Sequence, residues 1–368
     1  MTEQQLIYTL ALQHIPNIGD ITAKKLIQYC GSPEAVLTEK KQNLLKIDGI
    51  GTSTIRDVFG KHHLKAAEEE LKYIKNNNIT CLYFLDSDYP ERLKHCIDGP
   101  ILLFQRGQIN IKNQPILSVV GARKITVNGM AFCEKLIEEM AIYNPIIVSG
   151  FAYGTDITAQ KAALKHNLQT IGCLAHGLNQ IYPKTHKKYV ADVEKHGGFF
   201  TDFWSTAVFD RKNFLKRNRI IAGLSEATVV IESAEKGGSL VTADIANSYN
   251  RDVFAAPGRV TDKMSEGCNN LIKFQKAHLL SNPLDIPLML NWKLEDDAKQ
   301  QPIQKQLFVE LGDDEKKVYN YLKQHNKQLL DVIALECKIP IYKMASILLN
   351  MELKGVIRPL PGKQFELI

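Results

Sequence analysis

The sequence has no Cys-x-x-Cys pair. Its seven cysteines (30, 81, 96, 133, 173, 268, 337) are scattered, which argues against a zinc site and fits a reduced compartment. No window approaches the roughly 18 apolar residues of a membrane-spanning helix. The start, Met1-Thr2-Glu3-Gln4-Gln5, lacks the basic stretch of a signal peptide, so the chain is expected in the cytoplasm. Gly-x-x-x-x-Gly-Lys-Ser/Thr is absent, as are Gly-x-Ser-x-Gly and His-Glu-x-x-His. Gly121-Ala122-Arg123-Lys124 places a long basic side chain where a dinucleotide fingerprint needs its second glycine. No nicotinamide, flavin or other cofactor is expected.

What is present is an ordinary globular composition, 45% hydrophobic and 23% charged over 368 residues. That length implies two or three domains. Lys+Arg minus Asp+Glu is 46 − 40 = +6, too mild to name a partner. The positions are more telling. Residues 1–114 carry 14 − 13 = +1, residues 115–280 carry 20 − 15 = +5, and residues 281–368 carry 12 − 12 = 0. Within the middle third, Arg211 to Arg219 holds five cations and no acid.

Residues 1–78 read as a helical domain of helix-hairpin-helix (SAM-like) outline. Two glycine turns, Ile15–Gly19 and Ile47–Gly51, are each expected to lead into a helix. Such turns either present N–H groups to a phosphate or simply pack a helical bundle. Residues 79–290 alternate short apolar runs with amphipathic stretches. Strands are expected at 116–120, 145–148, 170–174, 199–201, 227–231 and 253–256, and helices at 127–142, 157–166, 186–195 and 240–250. This pattern predicts an α/β, Rossmann-like, doubly wound and mainly parallel sheet. Residues 291–310 read as a linker. Residues 311–368 read as a winged helix, with helices at 314–325, 330–337 and 341–351 and a strand pair turning at Pro361-Gly362. Its zero net charge favours a protein partner over duplex DNA.

Ligands of such sheets bind at the carboxyl ends of the strands. Here those ends are glycine turns: Gly121 with Arg123 and Lys124; Ser149, Gly150 and Gly154; Lys184 beyond Tyr182-Pro183; and Gly238 with Ser239. Any one of them is ordinary connecting chemistry. Together with the Arg211–Arg219 cluster they form an anion-binding surface. Cations at a helix start oppose its dipole and are tolerated best beside an anion. Phe214 among them has the arrangement that stacks one base while cations grip phosphates. Asp156 reads as an N-cap. Asp156, Asp202 and Glu232 could in principle serve a metal-dependent nuclease, but their spacing does not require it. His176, His186 and His196 read as surface or turn residues.

Seven strings in order resemble the DNA-processing protein A family (DprA, also called Smf). They begin with Val120–Arg123, Val148–Asp156 and Ile181–Pro183, and continue with Asn213–Ser225, Gly238–Ala243 with Val253–Gly258, and Gly267–Ile272. Three motifs depart from the usual pattern: Thr201-Asp202, Phe214-Leu215 and Gly237-Gly238-Ser239. The resemblance implies a bacterial, non-enzymatic protein that binds and protects single-stranded DNA during natural transformation. It also implies loading of RecA recombinase and a homodimer formed through the Rossmann-like domain. Carried over residue by residue, it places Arg123, Lys212, Phe214, Arg217 and Arg219 in the DNA pocket, with Lys184, Asn218 and the glycine turns beside them. The alternative is a nucleoside-monophosphate phosphoribohydrolase, which resembles the chain at Gly237–Thr242 but carries a Glu where Asp244 stands.

Overall fold

The computed structural model describes residues 1–293, 311–360 and 363–367. The chain forms two compact units, Met1–Glu295 and Asp296–Ile368.

The first unit opens with α1 (Glu3–His14), α2 (Asp20–Cys30), α3 (Pro33–Thr38), α4 (Lys41–Leu44) and α5 (Lys61–Asn76). Thr2 caps α1 in a capping box with Gln5, satisfying two otherwise orphaned N–H groups. The turn before α2 uses Asn17 at φ +66°, a left-handed conformation that asparagine tolerates better than most residues. The second glycine turn departs from expectation. After Gly51 the chain continues in turns, and the next helix waits until Lys61. Buried Ile55 and Val58 pin that irregular stretch to the core.

Then follow β1 (Thr80–Tyr83), α6 (Glu91–Lys94), β2 (Leu102–Gly107), β3 (Ile116–Gly121) and α7 (Val127–Met140). The chain goes on through β4 (Ile146–Ser149), α8 (Thr155–Lys165), β5 (Thr170–Cys173), a 3-10 helix (Lys184–Tyr189), α9 (Val190–Lys195) and β6 (Gly197–Thr201). It closes with α10 (Arg211–Leu224), β7 (Ala227–Ile231), α11 (Gly238–Ser248), β8 (Asp252–Ala255), α12 (Glu266–Lys273), β9 (His278–Leu279) and α13 (Asp285–Met289). One expected helix, 186–195, is thus split into a 3-10 turn and α9.

The sheet order is β1-β2-β6-β5-β4-β3-β7-β8-β9. β1 and β2 run antiparallel at one edge, and the pairs from β6 to β9 are parallel. This is the Rossmann-like, mainly parallel sheet, extended by an antiparallel edge. The chain leaves β3 toward β4 on one side and returns to β7 on the other. That makes the carboxyl ends of β3 and β7 the switch point where such sheets hold ligands.

Alternate strand residues supply the two faces. Ile116, Val120, Ile146, Val148, Val230 and Val253 pack under α10 to α12. Leu117, Val119, Ile147, Val229 and Phe254 pack under α7 and α8. A third core joins Leu10, Leu12 and Leu26 to Phe104, Phe151, Leu174 and Phe199, so the N-terminal helices share one interior with the sheet.

The second unit contains α14 (Asp313–His325), β10 (Gln328–Leu329), α15 (Leu330–Glu336), α16 (Ile341–Leu353), β11 (Ile357–Leu360) and β12 (Gln364–Leu367). Its sheet order is β10-β12-β11, all antiparallel. Val318, Leu322, Ile333, Met344, Leu348 and Ile357 form its core. Three helices with a β-wing make a winged helix. The expected Pro361-Gly362 turn, and the expected linker apart from 291–293, lie outside the described residues.

Candidate nucleic-acid interface

The switch point is built by close backbone approach. A Cβ on Gly121 would come within 1.9 Å of the Ile231 carbonyl oxygen, so only glycine lets β3 end this close to β7. Gly154 sits at φ +75°, and a Cβ there would meet the Ala122 carbonyl oxygen at 2.1 Å. Thr155 locks the corner. Its N–H donates to the Ala122 carbonyl at 3.1 Å and its hydroxyl to the Ile231 carbonyl at 3.2 Å.

A cleft of about 540 Å³ opens above these ends. Its walls include Gly121, Arg123, Lys124, Phe214, Arg217, Asn218, Gly238 and Ser239, eight residues expected from the sequence. α11 starts at the cleft with no side-chain cap, and a Cβ added to Gly238 would meet nothing within 4 Å. The first N–H groups of that helix thus have no side-chain cap, and Gly238 adds no side chain between them and the cleft, as an anion site requires. Asn218 donates to the Gly238 carbonyl at 3.4 Å, and the Ser239 hydroxyl lies 3.0 Å from that of Ser233.

Phe214 stands half-buried between two cations. The Arg123 guanidinium lies 5.3 Å from its ring centroid and that of Arg217 lies 5.9 Å away. The two arginines differ in kind. Arg123 is exposed, and among the described residues it forms no ion pair. Arg217 is buried in the floor, where its guanidinium donates to the Gly150 carbonyl at 2.8 Å and to the Cys173 carbonyl. Burial pulls its pKa below the ordinary value, and nearby Asp156 opposes that pull. Asp156 is buried as well, at the edge of the cleft. Burial raises its pKa, while Arg217 and the N–H groups of Ala152 and Gly150 work against that rise.

The other expected site residues are placed elsewhere. Ser149 is buried in the sheet, donating to the Val119 carbonyl at 2.6 Å, and Gly150 is covered by Arg217. Gly154 shapes the corner. Lys184 is exposed on the 3-10 helix, outside the cleft wall. Lys212 is also exposed and outside that wall. Arg219 is the clear correction. It is buried, 3.0 Å from Asp20 of α2 and also paired with Asp202 and the Asp98 carbonyl. Helical spacing explains the split. Phe214, Arg217, Asn218 and Ile221 follow i, i+3, i+4, i+7 toward the cleft, whereas Lys212, Lys216 and Arg219 lie on the opposite face.

The carboxylates and histidines also differ from expectation. Asp156 is not an N-cap; Gly154 caps α8, and the Asp156 carboxylate accepts from the Gly150 and Ala152 N–H groups at 3.1 and 3.3 Å. Asp202 holds Arg219, and Glu232 accepts from the Thr126 N–H at 2.8 Å. Each acid is engaged by its own partners, and no metal-ligating cluster occurs among the described residues. His176 lies on the turn after β5 and His186 on the 3-10 helix, both buried and bonded to the Gly177 and Phe151 carbonyls. Asp244, where the hydrolase alternative needs its acid, is exposed and paired with Lys276 at 2.9 Å, outside the cleft wall.

Several wall residues went unassigned in the sequence. Ile221 follows from the helical spacing just given, and Arg211 already belongs to the basic cluster Arg211–Arg219. Ser233 follows from its place just past β7. Met264, on the loop after β8, carries no sequence signal.

A glycine-cornered switch point with an aromatic ring between cations is the anion-binding geometry of a Rossmann-like sheet. Known proteins narrow the class. Residues 80–291 match the family described as DNA recombination-mediator protein A, and residues 304–363 match the DprA winged helix domain. The chain belongs to the DNA recombination-mediator protein A family. It is 32% identical to Protein Smf of Escherichia coli, over 81% of this chain and 80% of that one. It is 35% identical to DNA processing protein DprA of Streptococcus pneumoniae, over 55% and 71%. The solved structure of the S. pneumoniae protein superimposes with a TM-score of 0.67 at 28% identity, covering 79% of this chain and 99% of that one. The Helicobacter pylori DNA processing protein A, solved to show its single-stranded DNA binding mode, matches with a TM-score of 0.53 at 26% identity, covering 58% and 97%. No described helix is long and apolar enough to cross a membrane.

Proposed function

We propose that the cleft binds single-stranded DNA, and that the chain protects it and loads RecA recombinase onto it during natural transformation and recombination. The observation that carries this reading is Phe214, half-exposed at the cleft with Arg123 over its ring. A base needs to be unpaired to stack there, and its phosphates fall to Arg123, Lys124 and the N-terminus of α11. Lys184 and Lys212 extend the positive path outside the cleft wall. Arg217, Asn218, Ser149 and Gly150 act from beneath by holding the wall in shape.

The chain acts in the cytoplasm, without a cofactor and without catalysis of its own. It works as a homodimer through the Rossmann-like domain. Leu279, Leu284, Leu288 and Met289 support this, since they expose apolar surface around the edge strand β9, the kind of patch that marks a protein interface. The domains divide as 1–78, 79–290, a linker 291–310, and a winged helix 311–368 that contacts protein. RecA loading rests on the family's description as a recombination mediator.

A gel-shift titration with oligo-dT against duplex of the same length tests DNA binding. Preferential retention of the single strand supports it, and equal affinity for duplex contradicts it. Release of free base from AMP would instead revive the hydrolase alternative.

A further inference from the structure

Beside the cleft the chain exposes aromatic surface that its cores do not use. Tyr182 follows β5 on the loop to the 3-10 helix, and Phe209 lies on the loop between β6 and α10. Their ring centroids are 4.9 Å apart, and both approach Phe214, Phe209 at 5.6 Å and Tyr182 at 5.8 Å. Tyr182 is 38% exposed and Phe209 43% exposed, and neither belongs to a hydrophobic core. Two sequence-distant loops thus converge to place three rings together at the surface, at a hydration cost that folding alone does not require.

The surroundings identify the occupant. Lys184 lies two residues beyond Tyr182, and Arg211 and Lys212 lie two and three beyond Phe209. None of these side chains forms an ion pair among the described residues. The neighbouring acid, Asp210, is the N-cap of α10 and accepts from the Lys212 N–H at 2.8 Å. Aromatic faces between unpaired cations suit a strand that stacks successive bases while its phosphates are neutralised.

We infer that Tyr182 and Phe209 form a second base-stacking station, which receives the nucleotides leaving the cleft past Phe214. This rests on the reading of the cleft as a single-strand site. The rings themselves supply stacking and no phosphate contact, and Lys184, Arg211 and Lys212 stay in place when the rings are removed, so truncating the rings shortens the occupied site without making the salt dependence shallower.

The test is fluorescence anisotropy of dT oligomers from about 4 to about 16 nucleotides. It compares wild type, Phe214→Ala, the double variant Tyr182→Ala/Phe209→Ala, and the conservative Tyr182→Phe/Phe209→Tyr. On the longest oligomers the double alanine variant binds about 5- to 100-fold more weakly than wild type, the loss of one or two stacked bases. Its salt slope stays that of wild type, it binds the shortest oligomers like wild type, and the conservative variant binds normally at every length. Wild-type affinity of the double alanine variant at every length, with Phe214→Ala weakened, overturns the station and leaves the cleft standing. A loss extending to the shortest oligomers also overturns it, because the change then acts through the cleft. Failure of wild type to bind any oligomer overturns both readings.

Discussion

Arg219 of α10 holds the carboxylate of Asp20, at the first turn of α2, at 3.0 Å, with Asp202 sharing the same guanidinium nitrogen. The two elements are about 200 residues apart in sequence. The Arg219 side chain is 7% exposed and that of Asp202 1%, so removing the cation strands two buried carboxylates. Asp20 also accepts the Ile101 N–H at 2.9 Å, which ties α2 to the residue preceding β2. Arg219→Ala is expected to cost about 3–5 kcal/mol of stability, read as a lowered urea midpoint. Its folded fraction is expected to keep the wild-type salt slope for oligo-dT, because the Arg219 guanidinium is buried in its own ion pairs.

Arg123 behaves in the opposite way. It is exposed and unpaired, so Arg123→Ala leaves the thermal midpoint within a degree or two of wild type. Combined with Lys212→Ala it weakens oligo-dT binding and lowers the slope of log affinity against log salt by about 0.7 per lost phosphate contact on a single strand. Titration at several salt concentrations measures both quantities.

Phe214→Ala separates stacking from charge. The loss is about 1–3 kcal/mol of single-strand affinity, with the salt slope unchanged and the preference over duplex reduced. Phe214→Trp preserves the ring and retains binding. Competition between single and double strands reads the preference.

Gly121→Ala tests the corner between β3 and β7. The added methyl carbon would lie 1.9 Å from the Ile231 carbonyl oxygen, so one strand end must move. The expected result is a destabilised protein that also loses oligo-dT affinity, because the same glycine forms the cleft wall. Differential scanning and the shift assay report the two effects.

His14 and His63 predict a pH dependence of stability. Their Nδ1 atoms are 2.9 Å apart. Burial lowers both pKa values below 6.5, and His62 adds to the effect on each. As pH falls through about 6.5 the unfolded chain takes up protons before the folded one does, so stability is full above that pH and declines below it. Urea midpoints at about pH 7.5 and about pH 5.5 bracket the window. The His14→Gln variant declines less than wild type between them.

Much of this architecture was legible in the sequence, for identifiable reasons. Continuous apolar runs such as Ile116–Val120 and Ala227–Ile231 are buried on both faces, and that pattern belongs to parallel strands. Gly121 and Gly154 could be read because close approach excludes any side chain. The edge strands β1, β2 and β9 were missed, since short segments bordering loops carry little periodicity. The sequence cluster Arg211–Arg219 hid a division of labour. Charge alone does not distinguish Arg217, which lies on the cleft side of α10, from Arg219, which faces Asp20; the helical phase of α10 does. Asp156 could not be read as the partner of buried N–H groups, because that role depends on the fold of Gly150–Gly154. The Tyr182, Phe209 and Phe214 cluster needed tertiary structure, since its members come from two loops and from α10.

Oligo-dT binding against duplex across a salt series, with wild type and Arg123→Ala/Lys212→Ala side by side, tests the central claim most directly. The account predicts that wild type prefers the single strand, that this binding weakens steeply with salt, and that the double variant binds more weakly with a shallower slope. Equal wild-type affinity for both forms of DNA, or a double variant indistinguishable from wild type, would contradict it.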